Sequence, residues 1–185
     1  MPLDSTLADT REEIDGRFVL RIERRFGHPV ERVWDAITRP DRIVEWFAGK
    51  SEVLELELVD GGSYVTRWVP ELADEIVARS AEEPLVTDDV VLHVDPPHAL
   101  EHTLDGMHDS VVRWELQREG DGCRLFLTHT LPRAQSSSSG DYLAGWGMCL
   151  EFMREGLEGR PVNLAESTWE DLGERYAAYR RESQE

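Results

Sequence analysis

The chain has 185 residues, enough for one domain with a single buried core. Its 38 acidic residues outnumber its 20 basic ones, and the formal net charge of −18 disfavours binding to nucleic acid or anionic lipid. The longest apolar run is four residues, at 176–179, and the first twenty residues hold no signal-peptide core. We therefore expect a cytoplasmic protein with no nucleic-acid partner and no membrane partner.

The spacing of apolar residues changes twice in the N-terminal part of the sequence. Residues 1–16 carry five acids and little apolar material, which predicts a flexible acidic tail. From Arg17 onward, apolar residues alternate with charged ones up to Phe26, the pattern of a half-buried strand. Pro29 then opens a helix with apolar residues at 30, 33, 34 and 37, which Pro40 should end. A second short helix is predicted over 41–46.

A run of strands with turns between them follows. Strands are predicted over 54–58, 64–69, 90–94, 100–104, 110–117 and 123–131. Turn sequences separate them, among them Asp60-Gly61, Asp105-Gly106 and Gly120-Asp121. Residues 70–89 differ, with seven acids and one Arg, and are predicted to form a long acidic loop that is either functional or simply solvated.

The last third of the sequence is helical. Four serines, Ser136–Ser139, predict a flexible linker before a long helix over 141–158. A capping box at Ser167 and Glu170 predicts a final helix to about Arg181. Neighbouring strands favour an antiparallel meander, and the long helix is the one element able to cover its face. The predicted fold class is α+β, a curved antiparallel sheet wrapped around a long C-terminal helix, with two short helices after the first strand.

Several segments resemble a known family. The stretch from Arg24 to Pro40 is similar to the opening of the SRPBCC (START-like) superfamily, and more closely to bacterial homologues of the activator of the heat-shock-protein-90 ATPase. Further motifs fall in that family's order: Glu45-Trp46-Phe47, Asp60-Gly61-Gly62, Val94-Asp95-Pro96-Pro97, Arg113-Trp114-Glu115-Leu116, Leu127-Thr128-His129-Thr130 and Ala144-Gly145-Trp146.

The resemblance implies a helix-grip fold with an apolar cavity between the sheet and the long helix. It also implies roles that range from ligand binding to co-chaperone work in the stress response, and in some relatives cyclase or hydrolase activity. We expect residues 17–160 to form this domain. Residues 161–185 should form a C-terminal helix packed on the domain or on a partner, so both a monomer and a homodimer stay open.

The inward positions of the predicted strands and the stripe of the long helix offer a cavity lining. Aromatic and aliphatic walls with a few polar groups suit an apolar or aromatic ligand, although the same residues can simply fill the core. The candidates are Leu56, Tyr64, Thr66, Trp68, Leu92, His102, Trp114, Leu125, Leu127, His129, Trp146, Cys149 and Met153.

Three polar candidates, two of them in this set, carry two interpretations each. His102 and His129 can orient a ligand or move protons, or they can be hydrogen-bonded core residues. Arg24 shares the apolar face of its strand, so it pairs either with a ligand carboxylate or with an internal acid such as Glu45 or Asp35. Nothing in the sequence assigns a catalytic residue, a metal site or a cofactor.

Three functions remain after these steps. The first is a cytoplasmic protein that binds a small apolar or aromatic molecule between the sheet and the long helix. The second is a co-chaperone-like or regulatory module with a protein partner, which would use the acidic surface. The third is a cyclase or hydrolase that uses His102 or His129, and it requires both imidazoles to face an open cavity.

Overall fold

A computed structural model describes residues 9–47, 52–67, 86–132 and 139–160. Its strands and helices are β1 (Thr10–Ile14), β2 (Arg17–Phe26), α1 (Val30–Thr38), α2 (Pro40–Ile43), β3 (Glu52–Leu56), β4 (Ser63–Arg67), β5 (Val86–Asp95), β6 (Ala99–Leu104), β7 (Met107–Glu119), β8 (Gly122–Leu131) and α3 (Ser139–Leu157). The strands form one antiparallel sheet of eight in the order β1-β2-β8-β7-β6-β5-β4-β3. The α+β class with a large antiparallel sheet is confirmed.

Two hairpins close through two-residue turns in which both residues have positive φ. Asp105 and Gly106, at φ 61° and 67°, join β6 to β7 at a turn that the sequence predicts. Asp15 and Gly16, at φ 51° and 75°, join β1 to β2. The predicted flexible tail over 1–16 is therefore wrong for 10–14, which form an edge strand. An edge strand needs only backbone pairing with β2, so it carries no apolar alternation; residues 1–8 lie outside the described part.

The acidic segment at 70–89 also needs correction at its end. β5 begins at Val86, so 86–89 are strand and not loop. The inward positions of this stretch are Thr87, Asp89 and Val91. Because two of these three are polar, the alternation of apolar residues that marks a half-buried strand is missing from the sequence. Residues 68–85 lie outside the described part.

Two short helices follow β2, and each has a proline at its start; the second is α2 at Pro40–Ile43, where the sequence predicted 41–46. α1 follows Pro29, ends before Pro40 and buries Val30, Val33, Trp34 and Ile37. Pro40 occupies the first turn of α2, where its missing N–H costs nothing. Helix α3 contacts β2 and α1, and its buried residues belong to the same core as the inner face of the sheet: Leu143, Trp146, Met148, Cys149, Leu150, Phe152, Met153 and Leu157.

Two side-chain hydrogen bonds connect the helices to one another. Arg32 on α1 donates to the carbonyl of Leu157 at 2.6 Å, and this bond ties α1 to the last turn of α3. The indole N–H of Trp46 donates to the carbonyl of Ala36 at 2.8 Å, which holds the chain after α2 against α1. The predicted helix at 167–181 lies outside the described residues.

Candidate functional site

Six of the predicted lining residues come together on the inner face of the sheet and on α3. All six are buried, and we call them the inner-face cluster: Tyr64, Thr66, His102, Trp114, His129 and Trp146. The rings of Trp114 and Trp146 meet edge to face, with centroids 5.4 Å apart. Tyr64 meets the His102 ring at 4.9 Å. Aromatic pairs in this geometry stabilise a core beyond the area that they bury, so the cluster is a rigid wall.

His102 lies between a carbonyl and an indole. Its Nδ1 is 2.6 Å from the carbonyl oxygen of Thr103, and its Nε2 accepts from the indole N–H of Trp114 at 3.1 Å. These two partners assign the neutral ring with the proton on Nδ1. Burial lowers the pKa of His102 to about 4, so this imidazole is uncharged at neutral pH.

His129 has the opposite tautomer. Its Nδ1 accepts from the indole N–H of Trp146 at 3.0 Å, so the proton lies on Nε2, which donates to the hydroxyl of Ser110 at 2.9 Å. Burial, together with the nearby His102, lowers the pKa of His129 to about 3. Each ring nitrogen of both histidines is thus bound to a core partner. The acid–base hypothesis required imidazoles that face an open cavity, and this geometry gives it no support.

A buried carboxyl group extends the cluster toward the β6–β7 turn. Asp89 accepts from the hydroxyl of Thr103 at 2.9 Å and from the backbone N–H of Gly106 at 3.0 Å. Burial raises the pKa of Asp89 above its usual value, although these hydrogen bonds act in the opposite direction. Beside it, the hydroxyls of Thr66 and Thr87 lie 2.7 Å apart.

A second carboxyl group lies next to the start of α3. The hydroxyl of Tyr142 donates to Asp105 at 2.8 Å. Burial raises the pKa of Asp105, and the charge of Asp89 raises it further. The same burial raises the pKa of the Tyr142 hydroxyl. We call Thr66, Thr87, Asp89, Thr103, Asp105 and Tyr142 the polar end of the site. It lies where β4 ends, β5 begins and α3 begins.

Other predicted lining residues are placed differently. Leu125, Leu127 and Cys149 are buried in the core, and Leu56 is partly buried against it. Leu92 is 40% exposed and does not line the interior. The inward positions of β5 are 87, 89 and 91, so by strand alternation Leu92 points outward. Trp68 lies outside the described residues.

Arg24 is engaged by acids of this chain. Its guanidinium donates to both carboxylate oxygens of Asp9, at 2.6 and 2.8 Å, and lies 4.0 Å from Glu151. Both side chains of the Arg24–Asp9 pair are largely buried. Of the two predicted roles, the structure therefore shows the pairing with an internal acid, although the acid is Asp9 and not Glu45 or Asp35. The role toward a ligand carboxylate stays a prediction. Asp9 had been assigned to the tail.

Five residues of the polar end, and Ser110, were not predicted from the sequence. Thr87 and Asp89 were hidden in the supposed loop, and Asp105 counted only as a turn residue. The alternation of Thr87, Asp89 and Val91 with exposed neighbours is the signal that could have revealed the first two. Nothing in the sequence pairs Tyr142 with Asp105, since 37 residues separate them.

Met153 borders a separate cavity of about 150 Å³ between α1, α2 and the end of α3. Its floor is apolar and its rim is charged. We call it the helix pocket, and its walls are Arg32, Asp35, Ala36, Arg39, Arg42, Glu45, Trp46, Phe152, Met153, Gly156 and Leu157. At the rim, Arg39 pairs with Asp41 and Arg42 pairs with Glu45.

Among the described residues, no three His, Cys, Asp or Glu side chains are grouped so as to hold a metal ion. None of the described helices is both long enough and apolar enough to cross a bilayer. Cys123 and Cys149, the two cysteines of the chain, are both buried and form no disulfide bond.

The eight-stranded antiparallel sheet, with α3 contributing to the core on its inner face, defines a protein of the α+β class. Comparisons with known proteins give its family. Residues 27–158 match the family described as Activator of Hsp90 ATPase homolog 1-like protein. The chain belongs to this family, and its resemblance to the SRPBCC (START-like) superfamily is confirmed. No curated protein matches the chain.

Solved structures share the fold. A protein from Bordetella parapertussis is 25% identical with a TM-score of 0.67, and the match covers 97% of this chain and 93% of that one. CalU16 from Micromonospora echinospora is 24% identical with a TM-score of 0.63, and 95% of each chain is covered. A conserved protein of unknown function from Enterococcus faecalis is 15% identical with a TM-score of 0.66 over 94% and 91% of the two chains.

Proposed function

We propose that this protein binds a small apolar or aromatic molecule between the inner face of the sheet and α3, in a helix-grip arrangement, in the cytoplasm. Family members bind hydrophobic ligands or act in chaperone regulation. The observation that carries the proposal is the inner-face cluster, an aromatic wall that continues into a buried polar end.

The composition of this region supports the proposal, because the interior holds several polar groups among its apolar walls. A core that serves only stability is best filled with apolar side chains, because a buried polar group must be compensated by hydrogen bonds. Here the interior holds Asp89, Thr66, Thr87 and two histidines. Ligand sites combine apolar walls with a few fixed polar groups, and this is the combination that the inner face provides.

The polar end also favours one class of ligand. Burial raises the pKa values of Asp89 and Asp105, and an anionic ligand beside them would raise these pKa values further and lose binding free energy wherever the carboxyl groups are ionised. Tyr142 and Asp105 offer a hydroxyl and a carboxyl group at the start of α3. A molecule with an apolar or aromatic body and an uncharged hydroxyl or amide group fits these partners. Arg24 is paired with Asp9, so a ligand carboxylate at Arg24 would have to displace that acid.

Titration with Nile red, an uncharged apolar fluorophore, tests the proposal. We expect saturable binding at one site. Tyr142→Phe removes the hydroxyl at the polar end and should weaken the binding of a hydroxyl-bearing competitor about tenfold, the loss of one hydrogen bond of about 1.4 kcal/mol. Phe126→Leu on the outer face is the control and should bind as the parent does. Linear, unsaturable Nile red fluorescence would count against a binding interior.

A protein-interaction role is the second candidate, favoured by the family match itself. The net charge of −18 would supply an acidic contact surface. Purified chaperone ATPase of the Hsp90 class, assayed with the chain at low and at high salt, tests this role. Stimulation that disappears as ionic strength rises would support it, because exposed charge contacts are screened. No stimulation at low salt would argue against it.

A further inference from the structure

The second half of α3, residues 148–157, is fixed to two other elements of the domain, and we call it the anchored half. Glu151 lies 4.0 Å from the guanidinium of Arg24 on β2. The carbonyl of Leu157 accepts a hydrogen bond from Arg32 on α1 at 2.6 Å. Buried apolar side chains accompany these contacts and are at most 3% exposed: Leu150, Phe152 and Met153. This half of the helix is therefore held by β2, by α1 and by the core.

The first turns of α3, residues 139–144, are attached through fewer of the described side chains. The hydroxyl of Tyr142 donates to the carboxyl group of Asp105 in the β6–β7 turn at 2.8 Å. The ring of Tyr142 also meets that of His129 edge to face, with centroids 5.1 Å apart. Leu143 is buried in the core. Among the described side chains, release of these turns therefore breaks one hydrogen bond and one ring contact and exposes one leucine.

Two glycines separate these first turns from the anchored half. Gly145 and Gly147 flank Trp146, whose indole N–H is bound to His129 on β8. A glycine in a helix interior disfavours the helix about fivefold relative to alanine. Packing does not require a glycine at position 145, because a Cβ there would meet nothing within 4 Å. The helix is therefore weak at a point where one side chain is bound to the sheet, which is the arrangement of a hinge.

The first turns of α3 also border the polar end of the site. Tyr142 and Asp105 are partly buried, whereas Asp89 is 3% exposed and Thr103 is 2% exposed. Asp89 accepts a hydrogen bond from the backbone N–H of Gly106, in the same β6–β7 turn as Asp105. The Tyr142–Asp105 contact therefore lies at the boundary between these buried polar groups and solvent.

We propose that residues 139–144 form a lid that swings on Gly145 and Gly147 while the anchored half stays in place. Opening breaks the Tyr142–Asp105 contact and uncovers the polar end, through which the ligand enters and leaves. The entry of a ligand rests on the function proposed above, whereas the motion of the lid does not. The strength of the helix at the hinge and the Tyr142 hydrogen bond together set how often the lid is open.

Hydrogen–deuterium exchange on the full chain, without any ligand, tests the motion of the lid. Each helical N–H binds the carbonyl four residues earlier, so the amides of 143–148 report on the release of 139–144. In the parent we expect them to exchange about tenfold or more faster than the amides of 150–157. Gly145→Ala strengthens the hinge and should slow their exchange about fivefold. Tyr142→Phe removes the hydrogen bond and should speed it about fivefold.

Gly156→Ala is the matched control, the same replacement in the anchored half. A Cβ at Gly156 meets only the carboxylate end of Glu45, at 3.7 Å, so alanine fits there. This variant should leave the exchange of 143–148 unchanged. Equal exchange rates in the two halves of α3 in the parent would overturn the proposal. So would exchange over 143–148 that neither Gly145→Ala nor Tyr142→Phe alters.

Stopped-flow fluorescence with Nile red tests the route of the ligand. Gly145→Ala should slow both the association and the dissociation of the dye about fivefold and leave its Kd unchanged, because a rarer opening limits both directions equally. Gly156→Ala should keep both rates of the parent. Unchanged dye rates in Gly145→Ala, together with slower amide exchange, would overturn the lid as the route. Absence of saturable dye binding would contradict the function proposed above, and the amide exchange would still decide whether the lid opens.

Discussion

The indole N–H of Trp146 donates to Nδ1 of His129 at 3.0 Å, and this bond joins α3 to β8 inside the core. It exists only while the imidazole is neutral, because a protonated Nδ1 is itself a donor and would face the indole N–H. Trp114 and His102 repeat the arrangement between β7 and β6. Two tryptophans thus hold two histidines uncharged beneath the long helix.

Acidification should weaken the fold through these histidines. The pKa values of His129 and His102 in the folded protein, about 3 and about 4, lie below the ordinary value of 6.5. Their contribution to stability is therefore complete above pH 6.5 and is lost as pH falls from 6.5 toward 4. His129→Gln should reduce the slope of unfolding free energy against pH, between pH 4.5 and 6, by roughly 1 kcal/mol per pH unit.

Urea unfolding at a series of pH values measures this slope. His108→Gln is the control, because His108 is exposed on β7. An unchanged slope in His129→Gln would contradict the assignment of a neutral buried imidazole.

Asp89 should show the opposite pH dependence. Burial raises its pKa above 3.8, so the folded protein favours the protonated carboxyl, and its ionisation costs stability as pH rises from 3.8 through the folded pKa. Asp89→Asn keeps an oxygen acceptor for Thr103 and removes the charge. Relative to the parent, this variant should gain stability between pH 4 and pH 7. Asp121→Asn, in an exposed turn, is the control. An equal gain in stability in that variant would contradict the explanation that the burial of Asp89 causes the effect.

The losses of stability from substituting Ser110 and Trp146 should not be additive, because both side chains bind His129. Ser110→Ala leaves the Nε2 proton without its acceptor, at a cost of about 1–3 kcal/mol. Trp146→Phe leaves Nδ1 without its donor. Because both changes free the same ring, the double variant should lose less than the sum of the single losses. Strictly additive losses in thermal or urea unfolding would show that the two contacts are independent.

The Arg24–Asp9 ion pair should stabilise the edge of the sheet more than an exposed pair does. The side chains of Arg24 and Asp9 are only 11% and 5% exposed, whereas those of Arg21 and Glu12 are 47% and 53% exposed. Asp9→Ala should cost about 1–3 kcal/mol of unfolding free energy, with Glu151 as the remaining acid, and Glu12→Ala at most about 1 kcal/mol. Equal costs would mean that the Asp9 contact is no stronger than a surface pair.

Local patterns predicted most of the sheet because the information lies in neighbouring residues. The Asp105-Gly106 turn and the spacing of Val30, Val33 and Trp34 each determine a local structure directly. The pattern failed at 86–89, where buried polar residues replace the apolar alternation that marks a strand.

Part of the candidate site was also predicted, because alternation along a strand indicates which side chains face inward. Inward parity placed Trp114 and His129 correctly, since each strand alternates its faces. It could not pair Arg24 with Asp9 or Tyr142 with Asp105, because those contacts depend on how distant segments pack. Leu92 was misplaced because it belongs to the more apolar set of alternate positions in β5, whereas the inward set contains Thr87 and Asp89.

Native and denaturing mass spectrometry of freshly purified protein tests the central claim most directly. A small molecule held between the sheet and α3 should add a discrete mass under native conditions and be released on denaturation. Its composition should show an apolar or aromatic body without an acidic group. A native mass equal to that of the bare chain, together with no saturable binding of Nile red, would contradict the binding function.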